Sequence, residues 1–493
     1  MNSNRKIFFF FLLVFLGRCL FSFSIGLIDD EAYHWSWAKE VSLSYFDHPA
    51  MIAWIEWVTT KIFGDTIFAV RLPALVFFCA SSYLIWKITE EMFDRTSAFY
   101  ATLLILFSPF FGFGGYVSSP EQPFMFFWLM GVYVFWKYAS DQWSLKKSWI
   151  CLGIIMGLGL NSKFIIALLA LGFGAFMLAD SKKRKDLLTP WPWVGFGLAT
   201  VLCIPIFAWN ILYDWPGFKY QFHDRHQGGG GFNLNRWFVF FLAQVVFLTP
   251  VVYALTATTW VKGLKQVHEM KWKFLFCLTL PSILIFYVQP FFADYKPHWS
   301  GAAYLTLFAG VGFIWAHSKH KKIITHLIMW FFIPMNLLIY SPFLYPWWPK
   351  AYRFFVPNQQ WQTTYDLSNE FHGWEELGQR LIVKQKEIAQ QTGRTPFLAS
   401  HRYETTAQTY WGARQKTYML STVVSHYTVV QRLDLEKLQG SDALFITTEK
   451  YPGDPMREAK WNSCTPEKFD FFREDELSRQ FTIWHCQNFQ GIL

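Results

Sequence analysis

The run Ile7 to Leu27 (IFFFFLLVFLGRCLFSFSIGL) is followed by Asp29-Asp30-Glu31-Ala32-Tyr33-His34-Trp35, and then by Tyr45-Phe46-Asp47-His48-Pro49-Ala50-Met51. The first segment is apolar for long enough to cross a bilayer, which takes about 20 helical residues. Three carboxylates therefore stand where a span ends. A fourth, with a histidine and a proline beside it, follows within about twenty residues, and ionisable groups at the edge of a membrane are read first as function. The plain alternative is a solvated loop whose acids cap short helices.

The composition places the rest of the chain in the same setting. Of 493 residues, 53% are hydrophobic and 21% aromatic, and only 16% are charged, against about 25% in soluble domains. This is a polytopic α-helical membrane protein. The net charge of +9 suggests nucleic acid, but the basic residues cluster in short loops between apolar runs, as the positive-inside bias requires. A nucleic-acid partner is thereby excluded. The first run has no small-residue cleavage site after it and reads as a retained span. Cys19, Cys79, Cys151, Cys203 and Cys277 fall in apolar runs and act as small hydrophobes. Cys464 and Cys486 lie in the polar C-terminal part, where an extracytoplasmic location permits pairing without requiring it.

Arg5 and Lys6 put the N-terminus on the cytoplasmic side, so Asp29 to Met51 lies outside. Ser36 to Gly64 reads as short helices along the membrane surface. Phe68 to Ile88 returns inward, and Ala98 to Gly114 goes out to the turn Ser118-Ser119-Pro120-Glu121-Gln122-Pro123. Trp149 to Leu178 is broken by Asn161-Ser162-Lys163 and reads as two short spans meeting at an outer turn. The loop Tyr213 to Arg236 holds His223-Asp224-Arg225-His226 and a glycine run, and a later outer loop holds Asp294-Tyr295-Lys296-Pro297-His298-Trp299. Ile323 to Tyr345 is the last span. The total is about eleven spans, with residues 1–345 as the membrane domain. From Pro346 to Leu493 charge becomes regular. Gly373 to Gln390 has helical spacing, and Thr395 to Ser400, Lys416 to Leu420, Ala443 to Thr447 and Gln480 to Cys486 are strand-like. A small extracytoplasmic α/β domain of about 140 residues is expected.

The outer loops thus share Asp30, Glu31, Asp47, His48, Glu121, Lys163, His223, Arg225, His226, Lys296 and His298. A carboxylate serves as general base toward a hydroxyl, and Lys, Arg and His hold a phosphate leaving group. The membrane setting points to a lipid-borne phosphate. Each residue also has a structural alternative: helix capping for Asp30 and Glu31, a local ion pair for Asp47 and His48, a turn acid for Glu121, and snorkelling for Lys163, Lys296 and His298.

The motifs Asp30-Glu31-Ala32-Tyr33, Tyr45-Phe46-Asp47-His48-Pro49, Arg71-Leu72-Pro73, Ser119-Pro120-Glu121-Gln122-Pro123, Gly157 to Lys163 and Lys296-Pro297-His298-Trp299 resemble those of C-type (GT-C) glycosyltransferases. The resemblance is to the protein O-mannosyltransferase clan, family 39, in the bacterial branch of the lipid A aminoarabinose transferases. It implies a multi-pass enzyme of the bacterial inner membrane with a periplasmic C-terminal domain. The implied donor is a sugar on polyprenyl phosphate, of the undecaprenyl type. Transfer occurs with inversion to lipid A or another envelope glycolipid. On this resemblance Asp30, Glu31 and Glu121 are the catalytic acids, with Glu121 where many relatives carry Asp. Lys163, His48, Arg225, Lys296 and His298 bind the donor phosphate, with His48 where several relatives carry Lys. Asp47, His223, His226 and Tyr33 contact the remainder of the substrates. Some relatives use a divalent metal ion and others work without one; Asp30, Asp47 and Glu121 are the candidate ligands here. Alternatives of the same donor class or another class are a protein O-glycosyltransferase, a lipid-linked-sugar transporter and a sensor.

Overall fold

A computed structural model describes residues 3–224 and 231–493. The chain divides into two compact units: Met1–Arg18, His48–Ile52 and Arg71–Ile339 form one, and Cys19–Asp47, Ala53–Val70 and Tyr340–Leu493 the other.

The first unit is helical. Ile67–Met92, Met270–Phe291, Pro297–His317 and Lys321–Leu344 are long and apolar enough to cross a membrane. Two bent pairs raise the total to six among the described residues: Pro190–Leu202 with Ile204–Leu212, bent by 41°, and Leu234–Leu248 with Pro250–Lys265, bent by 105°. The expectation of eleven is not reached on length and composition, because several apolar stretches form shorter helices. Arg95–Phe107 and Ala167–Ala179 have 13 residues each, about 20 Å at 1.5 Å per residue. The expected break after Leu160 is present: Leu145–Leu160 and Ala167–Ala179 flank a 3-10 turn at Phe164–Ile166. The first helix, Ser3–Ser22, ends before Leu27. There Ser22 Oγ donates to the Cys19 carbonyl and Ser24 Oγ to that of Phe21, the local bonding by which serine competes with helix continuation.

Arg18 is the one strong base inside the first apolar run. It is buried, donates from Nη2 to the Gly112 carbonyl at 2.6 Å, and lies 3.9 Å from the ring centroids of both Phe78 and Tyr116. Desolvated cation–π contacts are worth about 2 kcal/mol each, which offsets the cost of a charge at this depth. Helix packing relies on small residues. A Cβ on Gly153 would meet the Gly195 carbonyl oxygen at 2.4 Å, so Leu145–Leu160 and Pro190–Leu202 approach backbone to backbone, as membrane helices do.

The second unit carries seven strands: β1 Phe397–Ser400, β2 Thr417–Met419, β3 Ala443–Thr448, β4 Ala459–Lys460, β5 Ser463–Arg473, β6 Glu476–Gln487 and β7 Gly491–Ile492. The main sheet runs β2-β1-β3-β6-β5, parallel across β2-β1-β3 and antiparallel across β3-β6-β5. Cys464 and Cys486 face each other in the β5–β6 register and are disulfide-bonded. The helix Trp374–Thr392 covers one face through Trp374, Leu377, Leu381 and Ile388. The fold also takes in the first loop. The 11-residue helix Asp29–Lys39 packs on Tyr403–Ala413, with Trp35 edge-on to Tyr410 and Trp411 at 4.9 and 5.0 Å between centroids. Gln408 Nε2 donates to the Leu27 carbonyl at 2.7 Å. A helix this short is marginal alone in water. Burial of Trp35 and Trp37, each 1% exposed, supplies roughly 4–6 kcal/mol gross per side chain.

Candidate active site

In the first unit, three expected residues meet. Glu121 opens the helix Glu121–Ala139, where the positive end of the helix dipole favours a carboxylate. Lys163 follows the break after Leu160, is 4% exposed, and its Nζ contacts Glu121 Oε1 directly. His298, in the 3-10 turn Pro297–Ser300, places Nε2 3.4 Å from the same oxygen. The break is held by Asn161, whose Nδ2 donates to the carbonyls of Gly157 at 2.9 Å and Leu202 at 2.7 Å. The Asn161 carbonyl accepts from Met51 N at 2.9 Å. That bond ties the His48-Pro49-Ala50-Met51 turn to the lysine's own loop, and His48 lies within electrostatic reach of Glu121. Asn161 was not among the expected site residues. Its signal was the asparagine-serine pair interrupting an apolar run.

The remaining donor-side expectations divide. Lys296 is exposed; its carbonyl accepts from Trp299 N at 3.2 Å. His223 is exposed where the helix Pro216–Phe222 ends. Arg225 and His226 lie outside the described residues.

In the second unit, the acids of the first loop take different parts. Glu31 is buried and its Oε2 accepts from Ile28 N at 3.1 Å, reaching back over the start of its own helix as in a capping box. Asp30 is exposed beside it, and its backbone N donates to Asp29 Oδ1 at 2.9 Å. Burial, and then the charge of Glu370, raise the Asp29 carboxyl above the usual carboxylate range. Burial and then the negative charge of Asp30 likewise hold the Tyr403 hydroxyl well above its ordinary value. Tyr33 is buried, donates to Asp47 Oδ2 at 2.5 Å, and accepts from His426 N at 3.3 Å. Burial and then the Asp47 charge raise its hydroxyl well above the ordinary tyrosine value. Tyr403, His426 and Tyr427 thus cradle the first loop, with Ser36 and Tyr427 hydroxyls 2.7 Å apart. Sequence reasoning missed these three because they lie almost 400 positions away.

Among the described residues, no group of three or more His, Cys, Asp or Glu side chains is arranged to hold a metal ion. Of the metal candidates, Glu121 is engaged by Lys163 and His298 and Asp47 by Tyr33, and Asp30 is exposed at the start of its helix.

The chain is similar to known proteins. Residues 47–209 match the family described as dolichyl-phosphate-mannose-protein mannosyltransferase, a segment that contains Asp47, His48, Glu121 and Lys163. The lipid A galacturonosyltransferase RgtD of Rhizobium johnstonii is 24% identical over 291 residues, 56% of this chain and 58% of its own. The undecaprenyl phosphate-alpha-4-amino-4-deoxy-L-arabinose arabinosyl transferase of Yersinia pestis is 28% identical over 169 residues, 33% of this chain and 29% of its own. The chain thus spans well under two thirds of the length of these relatives. The crystal structure of ArnT from Cupriavidus metallidurans bound to undecaprenyl phosphate superposes with a TM-score of 0.68 and 13% identity, covering 98% of both chains. Its apo form superposes with a TM-score of 0.66 and 11% identity, again over 98% of both chains. The chain therefore has the C-type glycosyltransferase fold, and the Lys163–Glu121 pair lies in the part that matches the mannosyltransferase family.

Proposed function

We propose that this protein transfers a sugar from a polyprenyl-phosphate donor, of the undecaprenyl type, to lipid A or another envelope glycolipid. The reaction takes place at the periplasmic face of a bacterial inner membrane, with the N-terminus cytoplasmic and the C-terminal domain periplasmic. The observation that carries this reading is the cluster of buried Lys163 with half-buried Glu121 and His298, with the His48 turn tied to it through Asn161.

The chemistry needs two services. The acceptor hydroxyl oxygen bonds to the anomeric carbon from the face opposite the phosphate, and its proton passes to a carboxylate. Asp30, exposed at the start of its helix, takes that part; Glu31, bound to its own helix start, positions it. Simultaneously the bond from the anomeric carbon to the phosphate oxygen breaks. Its electron pair stays on the phosphate, where cations stabilise the growing charge. Lys163 supplies the fixed cation and His298 and His48 supply further positive charge when protonated. Glu121 holds Lys163 in place between turnovers. Asp47, fixed by Tyr33, sets the loop next to His48.

The test is mass spectrometry of lipid A and envelope glycans from cells with and without the gene, and with Asp30→Asn. A gain of one sugar mass on a lipid, lost in the variant, is expected. A sugar on protein serine or threonine instead would move the acceptor to polypeptide. Unchanged glycans in all three strains would overturn the reading.

A further inference from the structure

The helix Leu234–Leu248 is apolar over Phe238 to Leu248 except at Gln244, which is completely buried. A buried amide costs free energy unless its hydrogen bonds are made. Here they converge on one turn. Nε2 donates to the Pro297 carbonyl at 3.0 Å, and Oε1 accepts from Ser300 Oγ and Tyr304 OH, both at 2.7 Å. Pro297 and Ser300 are the two ends of the 3-10 turn that carries His298. A single side chain thus grips both ends of the segment whose imidazole reaches Glu121. Behind it, the Tyr304 and Tyr287 hydroxyls lie 2.8 Å apart and those of Tyr287 and Tyr253 3.2 Å apart, so three helices share the same polar seam.

We propose that Gln244 is a positioning residue: it fixes the Pro297–Ser300 turn so that His298 bears on the Glu121–Lys163 pair and on the donor phosphate. The proposal rests on the reading of that cluster as the phosphate site. A leucine of similar volume would remove the three bonds that Gln244 makes to Pro297, Ser300 and Tyr304 and free the turn to drift, and sub-ångström placement matters for a site of this kind.

The experiment uses the full-length protein in nanodiscs, with undecaprenyl phosphate as the probe, and compares Gln244→Leu, Gln244→Glu, Ser300→Ala, His298→Ala, Lys163→Ala and the Gln244→Leu/His298→Ala double variant. Loss of one aligned contact to a charged group corresponds to about tenfold in Kd, which is the loss expected for Gln244→Leu. Gln244→Glu keeps the acceptor for Ser300 and Tyr304 and recovers affinity to within about threefold. The double variant binds no more weakly than His298→Ala, because Gln244 acts through the histidine. Where Gln244→Leu fails to reconstitute, Ser300→Ala carries the same comparison at about threefold. Wild-type affinity in both Gln244→Leu and Ser300→Ala overturns the proposal, as does full multiplication of the two losses in the double variant. In those cases a weakened Lys163→Ala shows that the phosphate site itself stands. Undiminished binding by Lys163→Ala overturns both.

Discussion

Replacing Lys163 with methionine separates what the ion pair does for the fold from what it does for the donor. The side chains of Lys163 and Glu121 are 6% and 21% exposed. Removing one partner of a buried pair leaves an uncompensated charge, at a cost of about 3–5 kcal/mol. His298, 3.4 Å from the same oxygen, compensates part of it, which places the loss near the lower end, about 3 kcal/mol. Lys163→Met/Glu121→Gln leaves no buried charge and recovers most of that stability. It does not recover the cation. A charge-assisted contact to phosphate is worth about 1.5–3 kcal/mol, so both variants bind undecaprenyl phosphate roughly 10- to 150-fold more weakly. The assay is paired: thermal unfolding in detergent micelles for stability, and intrinsic tryptophan quenching on titration with undecaprenyl phosphate for binding. The reasoning is refuted if the double variant is as unstable as Lys163→Met, or if it binds like the wild type.

Other expected outcomes follow from the second unit. Burial holds the imidazoles of His426 and His372 down at about 3, with the charges of Arg473 and Arg479 adding to the effect at His372. Both histidines bind protons in the unfolded chain below its pKa of about 6.5 but not in the fold, so stability falls as pH drops through 6.5 towards 3. At pH 5.5 each costs about 1.4 kcal/mol, and hydrogen exchange of residues 340–493 in the intact protein should quicken accordingly, with His426→Phe removing about half the effect. Tyr33→Phe deletes a bond to a carboxylate and should cost about 1.5–3 kcal/mol, read as earlier melting and as proteolytic nicking around Asp47. Cys464→Ser opens a bridge with a sequence separation of 22, worth about 3 kcal/mol in the chain-entropy account. Denaturant midpoints with and without reductant check it, since the variant should no longer respond to reductant.

The membrane character, the broken helix at Asn161 and the four expected strands were legible because each rests on local pattern: apolar length, an interrupting amide, alternation near turns. Strand β5 was not. Its sequence SCTPEKFDFFR has a proline and four charges, which argue against a strand, but it is the sheet edge, where proline and charge are tolerated. The span count depended on apolar length, and Arg95–Phe107 and Ala167–Ala179 show that apolar segments here often form helices of only 13 residues. For the site, Lys163, Glu121 and His298 could be named individually because each interrupts or ends an apolar stretch. That Lys163 and His298 share one Glu121 oxygen, and that Gln244 holds the turn of His298, depends on contacts across more than 40 positions. The capping bond of Glu31 was foreshadowed by three acids at a helix start, but only the geometry separates it from its exposed neighbour Asp30.

The helix Asp29–Lys39 rests on residues 403–413, which leave the ribosome some 370 codons later. During synthesis the acidic loop therefore waits without its platform, too short to hold helical form alone. It acquires its shape only after residues 403–413 have been made and folded. A truncated or stalled chain lacks that platform, so the order of manufacture itself decides when the acidic loop takes its form.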